Sequence, residues 1–184
     1  MKRTFSLIAF SLLLQAAVMA QPAGDPEAVV SGQITLPDNS TVSGSIKDNI
    51  RKKGELVMMN SGKKIKYKAG EINSAQVGGV NYITWNYTFY EILWQGTNLT
   101  LLRKANEPAG VQYSGSDAVV VSSEGNVDDL FVRKKGEASL MLLTKKTAKE
   151  VLGKLCSSCA GGVDASTFDA EAVKKAVAGC DACK

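Results

Sequence analysis

Most of the chain up to residue 144 consists of short segments that predict β-strands, separated by residues that favour turns. In residues 64–68 apolar and basic side chains alternate strictly, so we expect Ile65 and Tyr67 to face a core and the lysines to face water. The segments 30–34 and 42–46 are similar and flank a cluster of turn residues, which predicts a hairpin. Further strands are predicted at 56–59, 75–83, 88–94, 99–104, 118–121, 129–133 and 139–143.

The last forty residues follow a helical period instead. Thr147 and Glu150 have the spacing of a capping box, in which the side chain of each residue accepts a hydrogen bond from the backbone N–H of the other. A helix is therefore expected to begin there. Apolar residues then recur at helical spacing as far as Cys159, and the glycine pair that follows predicts the end of this helix. A second amphipathic helix is expected to begin near Asp169.

Strands followed by helices predict an α+β fold. An antiparallel sheet of about eight or more strands exposes less of its edges if it curls or closes. We therefore expect a curled antiparallel sheet or a β-barrel-like N-terminal part, followed by a small C-terminal helical pair. The predicted organisation is a signal peptide at 1–20, a flexible leader at 21–27, a β-rich domain at 28–144 and a cysteine-bearing helical appendage at 145–184.

The first twenty residues predict a secretory signal peptide, because a positively charged start, an apolar stretch and small residues before a cleavage site after Ala20 follow one another. The mature protein is expected to be exported, to the periplasm or out of the cell, and not to span the membrane. Removal of Lys2 and Arg3 lowers the formal net charge from +4 to +2. A charge so near neutral argues against nucleic acid as a partner.

The composition excludes several classes of enzyme. The chain has no histidine, which excludes Ser-His-Asp and Cys-His catalysis and every metal site with a histidine ligand. The sequence lacks the common glycine-rich loops that bind phosphates, and its carboxylates are scattered. We therefore expect a non-enzymatic protein without a cofactor.

The four cysteines form two C-x-x-C pairs, Cys156 with Cys159 and Cys180 with Cys183. This spacing is open to three uses: structural disulfides, a four-cysteine zinc site and redox-active thiols. Export favours disulfides, and both pairs lie towards the ends of the predicted helices, where the helix dipole disfavours a thiolate. We expect two disulfides that join one pair to the other, in the nested arrangement Cys156–Cys183 and Cys159–Cys180, and no bound metal.

Six aromatic residues lie between positions 82 and 94. Alternation along a strand gives them two faces, with Trp85, Tyr87 and Phe89 on one and Tyr82, Tyr90 and Trp94 on the other. The favoured interpretation is that both faces are buried, because aromatic side chains dominate protein cores. The alternative is that Tyr82, Tyr90 and Trp94 form a platform for a ligand or a sugar.

Several segments occur in an order that is typical of one group of bacterial proteins. After the signal peptide come segments 37–44, 66–67 with Ile72, 89–96, 99–101 and 130–136, and then the cysteine-bearing tail. In this order the chain resembles a large group of uncharacterised exported proteins of Bacteroidetes-type bacteria. The resemblance implies export and assigns no activity. The two C-x-x-C pairs depart from the tails of that group, which usually carry fewer cysteines.

Three functions are consistent with these observations. The first is an exported non-enzymatic module that binds another protein or a component of the cell envelope. The second is a small-ligand-binding barrel that uses the aromatic segment 82–94. The third is a thiol-redox protein or a four-cysteine zinc protein. The first is favoured because no catalytic constellation is recognisable in the sequence.

Overall fold

The computed structural model describes residues 28–60, 62–108, 111–114, 117–120, 123–156 and 168–182. The predicted signal peptide and leader lie outside the described residues, and so do Cys159 and Cys183. The strands are β1 (Val29–Thr35), β2 (Thr41–Asn49), β3 (Glu55–Asn60), β4 (Lys63–Lys68), β5 (Ser74–Val77), β6 (Val80–Trp85), β7 (Thr88–Gln95), β8 (Leu99–Lys104), β9 (Val111–Ser114), β10 (Asp117–Val120), β11 (Leu130–Lys134) and β12 (Met141–Leu143). The helices are α1 (Ile50–Lys53), α2 (Ala148–Leu155) and α3 (Ala170–Ala182), and Ala69–Glu71 forms a 3₁₀ turn.

Ten of these strands form one antiparallel sheet in the order β12-β11-β8-β7-β6-β5-β1-β2-β3-β4. The sheet curls, but its edge strands β4 and β12 do not pair with each other, so it is not a closed barrel. The remaining strands, β9 and β10, pair as a separate hairpin. A curled antiparallel sheet followed by helices confirms the predicted α+β fold and corrects its barrel-like alternative.

Two apolar clusters lie on the same face of the sheet. The first cluster fills the curl from β1 to β7, and its largest fully buried side chains are Ile34, Ile46, Ile50, Leu56, Met58 and Phe89. The second cluster packs α2 and α3 against Leu99, Leu101, Leu130 and Val132 of β8 and β11. Tyr82, Glu91, Arg103 and Leu130 pair in one row across the sheet, so the two clusters share a face and polar residues separate them.

A third cluster lies on the opposite face of β7, β8 and β11. Its centre is formed by Tyr90, Leu102 and Phe131, which are almost completely buried. The rings of Tyr90 and Phe131 meet edge to face, with centroids 5.4 Å apart and planes at 83°. Burial, together with the nearby carboxylates of Glu107 and Glu124, raises the pKa of the Tyr90 hydroxyl to about 12. This part of the sheet is therefore buried on both faces.

The predicted strand at 75–83 is two strands joined by a tight turn. Gly78 and Gly79 have φ angles of +56° and +87°, which reverse the chain between β5 and β6. Glycine adopts such angles without steric cost, so the chain reverses inside the segment that was predicted as one strand. The predicted hairpin is confirmed, with Gly32 of β1 directly opposite Gly44 of β2.

The edge strand β4 differs from its prediction at one residue. Tyr67 packs against the first cluster, but Ile65 is 38% exposed. Ile65 pairs with Met58 of β3 and has no further strand beside it, so less of its surface is covered. The lysines of this strand are exposed, as predicted, and charged side chains on an edge strand hinder pairing with other chains.

The reciprocal contact predicted for Thr147 and Glu150 forms one turn earlier in the sequence, between Thr144 and Thr147. The Thr147 side chain does not cap α2, and Glu150 forms an ion pair with Lys154 at 2.7 Å instead. Thr144 and Thr147 cap each other: the Thr147 N–H donates to Thr144 Oγ1 at 3.1 Å, and the Thr144 N–H donates to Thr147 Oγ1 at 3.0 Å. This reciprocal pair fixes the entry from β12 into α2.

The two C-terminal helices are joined by a disulfide between Cys156 and Cys180, whose Cα atoms are 5.2 Å apart. The predicted link between the two cysteine segments is confirmed, and the nested pairing with Cys183 is wrong. The described part of α2 ends at Leu155 rather than at Cys159, and Cys156 follows as its C-cap. Cys180 shares the buried face of α3 with Val173 and Val177, so the helical period turns it towards α2.

Candidate functional site

An ion pair lies between the first and second clusters. Glu91 of β7 and Arg103 of β8 are opposite each other in the sheet. Arg103 donates two hydrogen bonds to Glu91 Oε2, from Nη2 at 2.6 Å and from Nε at 3.1 Å. Both side chains are mostly shielded from solvent, with exposed fractions of 32% for Arg103 and 18% for Glu91. A paired, hydrogen-bonded arrangement makes these two charges tolerable inside the sheet.

A second ion pair joins α1 to the loop that precedes β11. The Arg51 guanidinium donates to both carboxylate oxygens of Asp128, at 2.7 and 3.1 Å. The hydrogen bond from Arg51 holds the pKa of Asp128 below its usual range, and the positive charges of Arg51 and Arg103 add to this effect. Because the two residues are 77 positions apart, the pair connects the N-terminal part of the sheet to the C-terminal part.

Tyr82 lies in the same cross-strand row as Glu91 and Arg103. Its hydroxyl donates a hydrogen bond to Asp48 Oδ2 at 3.0 Å. Burial raises the pKa of Tyr82 strongly, and the negative charge of Asp48 raises it further. At neutral pH Tyr82 is therefore protonated and donates this hydrogen bond.

A cavity of about 400 Å³ opens beside these ion pairs, between the sheet and the beginning of α3. Its apolar wall is formed by Leu130, Leu143 and Phe168. Its charged wall is formed by Arg103, Asp128, Asp129, Lys145 and Asp169. Cavities that bind small ligands have volumes of roughly 300–1,000 Å³ and combine apolar walls with a few polar groups. The cavity has both properties.

The acidic side of the cavity is held in place by a buried lysine. Lys104 is completely buried, and its ammonium group donates to Glu107 Oε2 at 2.8 Å and to the carbonyl oxygen of Gly125. The backbone of Lys104 also exchanges hydrogen bonds with residues 128 and 129, at 2.9 and 3.0 Å. These contacts fix the loop from which Asp128 and Asp129 extend into the cavity wall.

The other side of the cavity is formed where the appendage begins. Asp169 Oδ1 accepts a hydrogen bond from the Ala172 N–H at 2.8 Å, so Asp169 is the N-cap of α3, as the predicted helix start implies. Lys145 lies between Thr144 and Thr147, whose reciprocal hydrogen bonds fix the backbone there. The cavity therefore depends on how the appendage docks against the sheet.

An aspartate near the end of α3 anchors the appendage to the turn between β7 and β8. The Asp181 carboxylate accepts three backbone N–H groups, those of Thr97, Asn98 and Leu99, each at 2.7 Å. Desolvation raises the pKa of Asp181, but the three donors together outweigh it and lower the pKa below its usual value. Gly96 allows this approach, because a Cβ there would collide with the Asp181 carboxylate and the Trp94 ring.

The structure does not bring together the three residues of the alternative aromatic platform. Tyr82 belongs to the first cluster, Tyr90 to the third cluster on the opposite face, and Trp94 is half-buried against the second cluster. The segment is a hairpin rather than one strand, because Asn86 and Tyr87 both have positive φ angles and reverse the chain between β6 and β7. Tyr82 and Phe89 consequently share one face and Trp85 and Tyr90 the other, which corrects the predicted faces.

The residues that line the cavity were not singled out from the sequence. One signal was present: Leu99, Leu101 and Arg103 occupy alternate positions of β8, so the arginine points to the same face as two buried leucines. A charge at a core-facing position indicates either a buried ion pair or a polar site, and here Arg103 belongs to both.

Of the predicted disulfide residues, Cys156 and Cys180 are bonded, whereas Cys159 and Cys183 lie outside the described residues. Among the residues with a described position, no group of three or more cysteines and carboxylates is arranged to hold a metal ion. No helix in the described ranges is both long and apolar enough to cross a membrane.

No protein family, curated protein or solved structure matched this chain.

Proposed function

We propose that the protein is an exported, non-enzymatic binding module that holds a small ligand in the cavity between the sheet and α3. The observation that carries the proposal is the cavity itself, in which Leu130, Leu143 and Phe168 face charges of both signs. An apolar wall with a few convergent polar groups is typical of a site that binds a small organic molecule.

The surroundings of the cavity support binding rather than catalysis. Arg103 and Asp128 are held by Glu91 and Arg51, so their charges fix the walls of the cavity. A general acid or base needs a pKa near the working pH, and the Arg51 hydrogen bond moves the pKa of Asp128 away from neutrality. The absence of histidine from the sequence is consistent with this assignment.

Export and a structural disulfide fit the same proposal. The signal-peptide pattern and the resemblance to exported bacterial proteins support an oxidising compartment, in which the Cys156–Cys180 bond persists. Both cysteines lie near the C-terminal ends of their helices, where the dipole disfavours a thiolate. We assign the disulfide a structural role, because it joins α2 to α3, and the start of α3 lines the cavity.

The test is a substitution that fills the cavity. Ala170 lines the cavity at the start of α3, whereas Ala182 is exposed at the other end of the same helix. We expect Ala170→Trp to abolish binding of small phenyl-bearing compounds and Ala182→Trp to leave it unchanged. Isothermal titration calorimetry of the mature, oxidised protein measures this with L-phenylalanine, 2-phenylethylamine and 3-phenylpropanoate.

The proposal fails if none of the three compounds binds the mature protein, or if binding is the same in both variants. A circular dichroism spectrum and a melting curve of each variant show whether it is as folded and as stable as the parent protein. With a folded Ala170→Trp variant, a loss of binding is attributable to the filled cavity.

A further inference from the structure

We propose that the ligand of this cavity is a zwitterion with an apolar group, that is, an apolar amino acid or a short peptide. This inference rests on the proposed function and specifies the ligand class. Its basis is the balance of charges around the cavity and the apolar surface that adjoins them.

Three of the five charged residues in the wall have their charges offset by other parts of the protein. Arg103 is paired with Glu91, and Asp128 accepts both of its hydrogen bonds from Arg51. Asp169 caps α3, where the positive end of the helix dipole offsets its negative charge. These three residues shape the cavity without needing a charged ligand.

The other two residues, Asp129 and Lys145, have opposite charges and form no ion pair with any other part of the chain that the structure describes. Asp129 uses Oδ2 to accept the N–H of Asn126 at 2.7 Å, and its second oxygen is available to a ligand ammonium group. Lys145 is exposed at the cavity rim and has three N–H donors for a ligand carboxylate.

A ligand with a single charge satisfies only one of these two residues. An organic cation pairs with Asp129 but is repelled by Lys145, and an organic anion has the reverse difficulty. A zwitterion places a positive group at one residue and a negative group at the other. The arrangement therefore favours a molecule that carries both charges over one that carries either.

The apolar wall indicates that the ligand also carries an apolar group. Leu130 and Leu143 are buried in the second cluster, and Phe168 packs against the same cluster from the side of α3. A ligand side chain placed there contacts the partly exposed Phe168 and the edges of the two leucines, and is partly removed from water. The volume of about 400 Å³ is large enough for one amino acid or a short peptide.

The three phenyl compounds separate the contributions of the two charges. 2-Phenylethylamine is L-phenylalanine without the carboxylate, and 3-phenylpropanoate is L-phenylalanine without the ammonium group. We expect L-phenylalanine to bind the mature, oxidised protein at least about 10-fold more tightly than either, since each added contact is a charge-assisted hydrogen bond. Alanyl-phenylalanine, measured beside L-phenylalanine, distinguishes a peptide from a free amino acid as the preferred ligand.

Two variants assign the charges to residues. Lys145→Gln is expected to weaken L-phenylalanine about 10-fold without weakening 2-phenylethylamine, and the neighbouring exposed residue provides the control Lys146→Gln. Asp129→Asn keeps the acceptor for Asn126 and is expected to weaken L-phenylalanine without weakening 3-phenylpropanoate. The selective loss of one compound distinguishes a ligand contact from general damage to the fold.

The inference is overturned if 2-phenylethylamine or 3-phenylpropanoate binds as tightly as L-phenylalanine and alanyl-phenylalanine do. It is also overturned if Lys145→Gln and Lys146→Gln have the same affinity for L-phenylalanine. In both cases binding that is lost in Ala170→Trp still supports the cavity as the site. Failure of all compounds to bind rejects the proposed function as well, so the two proposals fail in different ways.

Discussion

The anchor formed by Asp181 makes a quantitative prediction about how the appendage is held. Asp181 Oδ1 accepts the N–H groups of Asn98 and Leu99, and Oδ2 accepts that of Thr97, all at 2.7 Å. A hydrogen bond to a charged group contributes about 1.5–3 kcal/mol. Thr97 and Asn98 are exposed, so water replaces part of this energy when the carboxylate is removed.

We therefore expect Asp181→Ala to lower the free energy of unfolding by about 2–3 kcal/mol, which is less than the sum of three charged hydrogen bonds. Asp181→Asn keeps one oxygen that can accept the Asn98 and Leu99 donors but presents an NH₂ group to Thr97. Neutral hydrogen bonds are roughly half as strong as charged ones, so we expect a loss of about 1–2 kcal/mol for Asp181→Asn.

Urea denaturation with the disulfide intact measures both losses. Glu171→Ala is the control on the same helix, because Glu171 is exposed and lies 3.8 Å from Lys174 in a weak ion pair. This control is expected to change stability by less than about 0.5 kcal/mol. Equal stability of Asp181→Ala and the parent protein at pH 7 refutes the anchor.

The same anchor predicts how the effect depends on pH. The folded-state pKa of the Asp181 carboxyl lies below its ordinary value of 3.8, so the stability it contributes is present above that value and is lost as the pH falls through the folded-state pKa. The difference between the parent protein and Asp181→Ala is therefore expected to shrink below about pH 4. A difference that is the same at pH 7 and at pH 3 contradicts an ionised carboxylate as its source.

Three further predictions concern the turn, the disulfide and the signal peptide. Gly96→Ala is expected to lower the free energy of unfolding by about 1–3 kcal/mol in urea denaturation. The loss should be smaller in an Asp181→Ala background, because the added methyl group then collides only with the Trp94 ring. Replacement of both Cys156 and Cys180 by serine is expected to lower stability by about 3 kcal/mol, and mass mapping without reductant should recover the bond between them in the parent protein. Mass spectrometry of the native protein should find residue 21 at the N-terminus, and an N-terminal Met1 contradicts cleavage after residue 20.

Much of the fold was predictable from patterns that are local in the sequence. The hairpin of β1 and β2 was predictable because matched strands flank a turn, and α3 begins where Asp169 supplies a cap. Both features depend on residues within a few positions of one another. The α+β class follows from the change of period near residue 144, which is also a local property of the sequence.

The faces of the aromatic segment were mispredicted because two residues reverse the chain within it. Asn86 and Tyr87 adopt positive φ angles, which neither residue type signals as glycine does, so the aromatic segment reads as one strand. A bulge between Ile92 and Trp94 then shifts the alternation again, and Trp94 consequently faces the second cluster. Each such shift exchanges the two faces for every residue that follows.

The cavity was beyond sequence reasoning for a different reason. Its walls come from four separate stretches of the chain, around residues 103, 128–130, 143–145 and 168–170. Only the docking of α3 brings the last stretch to the first three. No spacing within the sequence encodes that distance, so the sequence does not bring these four stretches together.

The order of the strands has a consequence for how the chain folds. β1 to β4 follow one another in the sheet, and so do β5 to β8, so each half is a meander of neighbouring hairpins. The two halves join through the pairing of β1 with β5, only four residue pairs from Gly32–Val77 to Thr35–Ser74. Short-range pairings close rapidly because little chain entropy is lost. Because synthesis begins at the N-terminus, the first meander can form while the second is still being made, and the short seam between them closes only after β5 has emerged.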